Sequence, residues 1–163
     1  MRSARRITIT TALLLLVACG GGPAAPPAQS GNAQQEALVR VGDLSLRASV
    51  VATMNLSSQV AGQYGIARSD DTVLLLVAVR KGDDATAVSV PAIVTAKGTN
   101  LRGGAQEIVM RELRSGTGPD ALVDSIGIAG VTPPETMRFD ITARFADGTA
   151  PMSVSLSREF YPR

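Results

Sequence analysis

Apolar and polar residues alternate with a period of two over three stretches of the chain, which is typical of β-strands that bury one face. These stretches are residues 44–50, 137–145 and 152–157. The last two are joined through Asp147-Gly148, a dipeptide that favours a tight turn between antiparallel strands. The alternation therefore predicts three half-buried strands, two of them in a hairpin.

Other segments extend this β-rich pattern. Residues 72–80 are apolar at nearly every position, as expected of a central strand covered on both faces. Residues 87–97 are rich in β-branched side chains but contain Pro91, which donates no ladder hydrogen bond and predicts an edge or a bulge there. Further strands are predicted at 107–113 and 122–129. About seven short strands predict an all-β fold, an antiparallel immunoglobulin-like β-sandwich.

One segment, residues 56–65, departs from the strand pattern. Ser57 or Ser58 is suited to cap the start of a short helix, and Val60 and Tyr64 lie on one helical face. Gly65 is suited to the left-handed conformation that often ends a helix. We expect one or two helical turns between strands.

The first 18 residues have the pattern of an export signal. Three arginines within residues 1–6 precede an apolar run that is too short to span a bilayer. The run ends in Leu-Val-Ala-Cys at residues 16–19, which resembles the bacterial lipobox, and Cys19 is the only cysteine in the chain. We predict that residues 1–18 are a lipoprotein signal peptide and that the Cys19 thiol is acylated.

Acylation of Cys19 would hold the protein on a lipid bilayer, because two or more acyl chains anchor a protein firmly. Gly20 follows the cysteine in place of the aspartate that favours inner-membrane retention, so we expect the outer membrane, facing the periplasm. The segment from Gly20 to about Gln35 is rich in Gly, Pro, Ala and Gln and is not expected to bury enough apolar surface to fold. The predicted organisation is lipidated Cys19 and a flexible tether over 19–36, then a sandwich domain over 37–163.

Composition narrows the possible functions. The chain contains no His, which excludes the usual forms of Ser-His-Asp catalysis, zinc coordination and histidine relays. Removal of residues 1–18 would take away three of the 16 Lys and Arg residues and leave 13 against 14 Asp and Glu residues. A near-neutral domain with scattered arginines lacks the basic stripe of a nucleic-acid-binding protein. We therefore expect no nucleic-acid partner, no cofactor, no metal and no enzymatic activity.

Four stretches, taken in order, resemble a bacterial family. They are residues 54–69, which include Val-Ala-Gly-Gln-Tyr-Gly-Ile-Ala-Arg-Ser, residues 100–103, residues 137–141 and the terminal Arg-Glu-Phe-Tyr at 158–161. Together they resemble the domain-of-unknown-function family numbered 4426. The resemblance implies an exported single-domain β-sandwich, in agreement with the periodicity, and it implies no particular activity.

Three residues within these stretches are candidates for contact with an envelope protein partner. Tyr64 and Arg68 are of the types enriched at interface hot spots, and Asn100 begins a turn. In the alternative interpretation Tyr64 packs into the sandwich and Arg68 pairs with a nearby carboxylate, so that both are structural. On this basis the chain is expected to be a non-enzymatic binding or accessory module of the envelope.

Two other functions stay open. Asp140 and Glu159 lie on the last two predicted strands, where they are candidates for the carboxylate pair of a hydrolase acting on cell-wall or glycan substrates. Asp140 alternates with apolar residues and is expected to face outward and to pair with neighbouring arginines. The third possibility is a purely structural periplasmic protein.

Overall fold

The computed structural model describes residues 36–118 and 121–162. The predicted signal peptide, Cys19 and residues 20–35 of the predicted tether lie outside the described residues. Within the described part, the elements follow in the order β1 (Glu36–Val41), β2 (Leu44–Ala52), a 3₁₀ turn (Thr53–Asn55), α1 (Ser58–Tyr64), β3 (Thr72–Lys81), β4 (Val88–Ser89), β5 (Ile93–Asn100), β6 (Ala105–Ile108), β7 (Met110–Ser115), β8 (Leu122–Gly130), β9 (Glu135–Arg144) and β10 (Met152–Phe160).

The strands form two antiparallel sheets. The first sheet has the order β1-β2-β3-β8-β7, with β4 paired to β3, and the second has the order β10-β9-β5-β6. Buried side chains from both sheets form one core cluster between them. The predicted all-β antiparallel sandwich is confirmed, although the described residues form ten strands where about seven were expected.

Alternation along the strands explains where the core lies. Leu46 and Val50 of β2 and Leu75 of β3 are fully buried and meet Phe139 and Ile141 of β9 from the second sheet. The polar residues between the buried positions of β9 and β10 lie on the outer face of the second sheet. Removal of this apolar layer from water is the main stabilising contribution to the fold.

Two predicted strands each prove to be two strands in different sheets. Residues 87–97 divide around Pro91 into β4, which pairs with β3, and β5, which lies between β9 and β6. The expected single strand with an edge or bulge at Pro91 was therefore wrong. Pro91 lies in the crossover, where its missing N–H breaks no ladder hydrogen bond. Residues 107–113 divide in the same way at Val109, between β6 of the second sheet and β7 of the first.

The β2–β3 connection contains the helix that the sequence predicts. The Ser57 hydroxyl accepts a hydrogen bond from the Val60 N–H and caps α1, and Gly65 ends it in the left-handed region with φ of 63°. The helix covers the outer face of β3, where Leu74 is buried. Residues 72–80 therefore form a central strand as predicted, with a buried inner face, but on the outer face Leu74 alone is buried and the other positions are half-buried. No helix in the described ranges is both long and apolar enough to cross a membrane.

One end of the sandwich brings together chain segments from both sheets, and we call it the cleft end. In the first sheet β2 ends there at Ala52 and β8 ends at Gly130, and in the second sheet β5 ends at Asn100 and β10 at Phe160. The Gln106 side chain ties the sheets together at this end. Its Nε2 donates to the Gly130 carbonyl at 2.7 Å, and its Oε1 accepts from the Gly130 N–H at 3.0 Å.

Candidate functional site

Arg158 occupies an inward-facing position near the end of β10. Met152, Leu156 and Phe160 have the same parity and are buried core residues, so the pleat directs the Arg158 side chain between the sheets. Its Nη1 donates a hydrogen bond to the backbone carbonyl of Val50 in the opposite sheet. A guanidinium in a core-facing position thus bridges the two sheets at the cleft end.

The Arg158 guanidinium is half-buried and makes few polar contacts. Its central carbon lies 5.8 Å from the ring centroid of Phe160, within the range of a cation–π interaction. Burial lowers the pKa of Arg158 from its ordinary value, because a poorly solvated site disfavours the charged form. The group nevertheless stays protonated in proteins. Among residues 36–118 and 121–162, no carboxylate lies within 4.0 Å of the guanidinium, and its hydrogen bond goes to Val50.

A cleft with a volume of about 620 Å³ opens beside this guanidinium, and we call it the Arg158 cleft. Its lining combines apolar residues from both sheets with polar residues at the rim: Ala52, Asn55, Asp70, Val73, Val131, Pro133, Arg158, Glu159, Phe160, Tyr161 and Pro162. A volume of this size lies in the range of small-ligand sites in proteins. An apolar wall, one guanidinium and rim carboxylates are suited to bind a small ligand that carries one anionic group.

The wall of the Arg158 cleft beside the 3₁₀ turn is held by a buried polar cluster. Thr53 is fully buried, and its Oγ1 donates to the Ser69 carbonyl and accepts from the Ser69 N–H, each at 3.0 Å. Its Oγ1 also lies 2.7 Å from the Thr72 Oγ1. Because a hydroxyl carries a single proton, Thr72 must be the donor in that contact. These bonds fix the segment that carries Asp70 to the cleft rim.

Asn100 lines a second cleft of about 330 Å³ at the same end. Its Nδ2 donates to Glu135 Oε1 at 2.8 Å, and its Oδ1 accepts from the backbone N–H groups of Arg102 at 3.1 Å and Gly104 at 2.7 Å. Glu135 Oε2 in turn accepts from the Thr132 N–H at 2.9 Å. The Asn100 side chain therefore holds the loop that follows β5, and its polar atoms are already engaged.

The C-terminal end of β10 forms the wall shared by the two clefts. Glu159, Phe160 and Tyr161 line both of them. The Tyr161 hydroxyl donates to the Glu159 carboxylate, and this hydrogen bond raises the pKa of Tyr161 above its ordinary value of 10.0. This shared wall continues directly from Arg158, so a ligand in the Arg158 cleft would contact the same strand end.

Tyr64 and Arg68 line neither of these two clefts. Tyr64 packs over the outer face of the first sheet beside Leu74. Arg68 donates from Nη2 to the Met54 carbonyl at 3.0 Å, a contact with backbone where the structural interpretation expected a carboxylate. Of the three candidates for partner contact, Asn100 is the one that lines a cleft at this end. Partner contact through Tyr64 and Arg68 stays a prediction.

Asp140 and Glu159 do not form a closely spaced carboxylate pair. Asp140 lies opposite Ser155 in the β9–β10 register, and Ser155 is four positions from Glu159, about 13 Å along a strand. Both carboxylates have the outward parity of their strands. Hydrogen bonds from Ser155 and Arg138 lower the pKa of Asp140. A general acid needs a raised carboxyl pKa, so this arrangement does not suit acid catalysis by Asp140.

Arg158 was missed by the sequence analysis as a site residue, although a signal was present. Alternate positions of the last strand face the core, and Met152, Val154 and Leu156 occupy them. The next such position is Arg158. A charged side chain at a core-facing position indicates a polar site within the core. In the part of the chain that the structure describes, no group of three or more carboxylate or thiol side chains is placed to hold a metal ion.

The comparisons with known proteins agree on a family. Residues 38–163 match the family described as Domain of unknown function (DUF4426). A similar solved structure is that of a DUF4426 family protein from Pseudomonas aeruginosa, with a TM-score of 0.62 and 22% sequence identity over 78% of this chain and 96% of that chain. No curated protein sequence matches significantly. Similarity at this level of identity supports the fold alone. Because the family match extends over most of its length, the chain belongs to the DUF4426 family.

Proposed function

We propose that the chain is a lipoprotein of the bacterial envelope that acts as a non-enzymatic binding module, with the Arg158 cleft as its binding site. In this proposal acylated Cys19 anchors the protein in the outer membrane, and residues 20–36 tether the domain on the periplasmic side. The partner is another component of the envelope, bound at the cleft end of the sandwich.

The observation that carries the binding role is the guanidinium of Arg158 between the sheets, beside a cleft of about 620 Å³. Burial of a charged group without an opposite charge costs folding free energy. An apolar side chain, such as those of Leu156 and Phe160 on the same parity, would fill the position without that cost. A ligand that pairs with the guanidinium would offset the cost of burying the charge. Such a ligand would explain why this position holds an arginine and not an apolar residue.

The direction of β1 supports placing the binding site near the membrane. Glu36 at the start of β1 pairs with Ser49, close to the end of β2, so the chain enters the domain at the cleft end. If Cys19 is acylated as proposed, the chain runs from the lipid anchor into the end of the domain that carries the Arg158 cleft.

The anchor is tested by replacing Cys19 with serine. We expect the wild-type protein to incorporate labelled palmitate and to sediment with membranes, because thioether and amide acylation both start at this cysteine. Cys19→Ser should lose the label and appear in the soluble fraction or as an uncleaved precursor. Equal palmitate labelling of the two proteins would overturn the lipoprotein part of the proposal.

The binding role is tested by photo-crosslinking in intact cells. A photoreactive amino acid at Tyr161, an exposed residue on the wall of both clefts, should give a discrete crosslinked adduct. The matched control is the same amino acid at Thr149, an exposed position in the β9–β10 turn at the opposite end of the hairpin. An adduct from Tyr161 but not from Thr149 supports the proposal, and identical results at both positions would contradict it.

A further inference from the structure

The binding donors of the Arg158 cleft define a class of ligand. A guanidinium carries five N–H donors in one plane. Nη1 of Arg158 donates to the Val50 carbonyl, and none of the residues that the structure describes forms a hydrogen bond with Nη2 or Nε. Two parallel N–H donors match the two oxygens of a carboxylate in a bidentate pair.

The surroundings of the guanidinium restrict what may be attached to that carboxylate. The apolar lining of the cleft comes from Ala52, which is half-buried, and from Val73, Val131 and Phe160, which are buried. Burial of a small apolar group against such a wall is favourable. A carboxylate that carries an apolar substituent would therefore satisfy both the guanidinium and the wall beside it.

The rim of the cleft argues against ligands with several negative charges. Two carboxylate side chains, those of Asp70 and Glu159, line it. Like charges at short range are repulsive, so phosphate-rich ligands and nucleic acid are disfavoured. A single carboxylate can reach Arg158 while a neutral or positively charged remainder lies near the rim.

We propose that the Arg158 cleft binds ligands through one terminal carboxylate next to a small apolar group, as at the C terminus of a peptide that ends in an apolar residue. This inference rests on the proposed binding function and adds the chemical class of the ligand. Arg158 forms the bidentate pair with the carboxylate. The apolar wall takes the adjoining side chain and supplies the selectivity.

Calorimetric titration of the full chain, purified in detergent, tests the inference. The probes are N-acetyl-Ala-Val with a free carboxylate, the same dipeptide as its C-terminal amide, and octanoate. We expect the free acid to bind about 10- to 100-fold more tightly than the amide, the effect of hydrogen bonds to a charged group. Tighter binding of octanoate than of the dipeptide acid would also support the carboxylate site and assign it to fatty acids.

Variants locate the effect at Arg158. Arg158→Lys keeps a positive charge but loses the planar fork, so the preference for acid over amide should fall about tenfold, and Arg158→Met should abolish it. The matched control is Arg138→Lys on the outer face of β9, where the guanidinium contacts Asp140 and the preference should not change. Comparison of the two wild-type titrations needs no variant, so it stays decisive even where a substitution impairs folding.

Two results would overturn the carboxylate inference. One is equal affinity for the acid and the amide, and the other is no detectable binding of any of the three probes. Neither result would affect the broader binding function if Tyr161 still gave a specific crosslink in cells. Loss of that crosslink together with tight acid binding would instead contradict the envelope partner and leave the carboxylate site in place.

Discussion

Two partly buried arginines near opposite ends of the sandwich are used in different ways. Arg80, near the end of β3, contacts the carboxylate of Asp124, and the two side chains are 16% and 17% exposed. Its Nη1 also donates to the Val123 carbonyl at 3.0 Å. Arg158, at the cleft end, donates to the Val50 carbonyl and has no carboxylate within 4.0 Å among the described residues.

The two arginines differ in how their charge is paired: Arg80 has a carboxylate partner within the protein, whereas we propose that Arg158 pairs with a ligand. Arg80 has its charge neutralised inside the protein, so its contribution depends on Asp124. The charge of Arg158 is compensated by a carbonyl dipole and by the Phe160 ring. Loss of the partner should therefore destabilise the Arg80 end strongly, whereas loss of the arginine itself should change the cleft end mainly in ligand binding.

The largest expected effect is at the Arg80 end. Asp124→Ala leaves the Arg80 guanidinium buried without its counter-charge, and we expect the free energy of unfolding to fall by about 3 kcal/mol. Urea denaturation followed by circular dichroism measures this change. As a control, the double variant Arg80→Met, Asp124→Leu should recover most of the loss, because neither charge is then buried alone. Equal stability of Asp124→Ala and Arg158→Met would contradict the comparison.

The next largest effect is expected at the cleft end, where removal of the buried Thr53 hydroxyl should lower the free energy of unfolding. Thr53→Val keeps the shape of the buried side chain but removes an Oγ1 that contacts Ser69 and Thr72. We expect a loss of about 2 kcal/mol, because the Ser69 N–H and the Thr72 hydroxyl lose a partner in a buried site. Thr72→Val is the matched control and should cost less. A change within about 0.5 kcal/mol for Thr53→Val would show that this cluster does not hold the cleft wall.

Arg158→Met tests whether the arginine at the cleft end contributes little to stability. One hydrogen bond to Val50 is lost, but an apolar side chain replaces a half-buried charge, so we expect the free energy of unfolding to change by less than about 1 kcal/mol. The thermal unfolding temperature should change little, while the preference for the acid dipeptide disappears. A loss as large as that of Asp124→Ala would make Arg158 a structural residue.

The smallest effect is expected at an exposed pair on β9. Arg138 Nε donates to Asp140 at 3.0 Å, and Asp140 also accepts from Ser155, which lowers the pKa of Asp140 below 3.8. Its contribution to stability is therefore present above pH 3.8 and is lost as the pH falls through the lower folded-state pKa. Asp140→Asn should lower the free energy of unfolding by no more than about 0.5 kcal/mol at pH 7. At a pH below the folded-state pKa of Asp140 it should have no effect.

Urea denaturation of wild type and Asp140→Asn across pH 2.5 to 7 would measure this dependence. A difference between the two proteins that grows as the pH falls would have the wrong sign for a lowered carboxyl pKa. If all the expected results are obtained, the effects of these substitutions on the free energy of unfolding will be largest at the buried Arg80 pair and smallest at the exposed Arg138 pair.

The strands with clear periodicity were predictable from the sequence, and those that change sheet were not. Alternation located β2, β9 and β10, and Ser57 and Gly65 marked the ends of α1. Residues 87–97 and 107–113 were each expected to be one strand. The chain changes sheet after three residues in the first segment and after one residue in the second, and connections this short leave the period almost intact, so pattern alone does not reveal them. Pro91 was the visible sign of one such change.

The candidate site was predicted only in part. Asn100 was singled out, and it lines a cleft, but its polar atoms hold the loop after β5. Arg158 stood at the end of an alternating strand and was not selected. Its proximity to Val50 depends on two strands that are 108 positions apart in the chain, and local pattern carries no information about that pairing.

The sequence by itself determined the all-β class, most of the strands and the short capped helix, because side-chain periodicity and capping are local properties of the chain. Only the tertiary structure decided which strands exchange sheets, which end of the sandwich opens into clefts, and which arginine lies beside one without a carboxylate partner among the described residues. Those features arise where segments distant in sequence meet, and packing between the two sheets fixes their geometry.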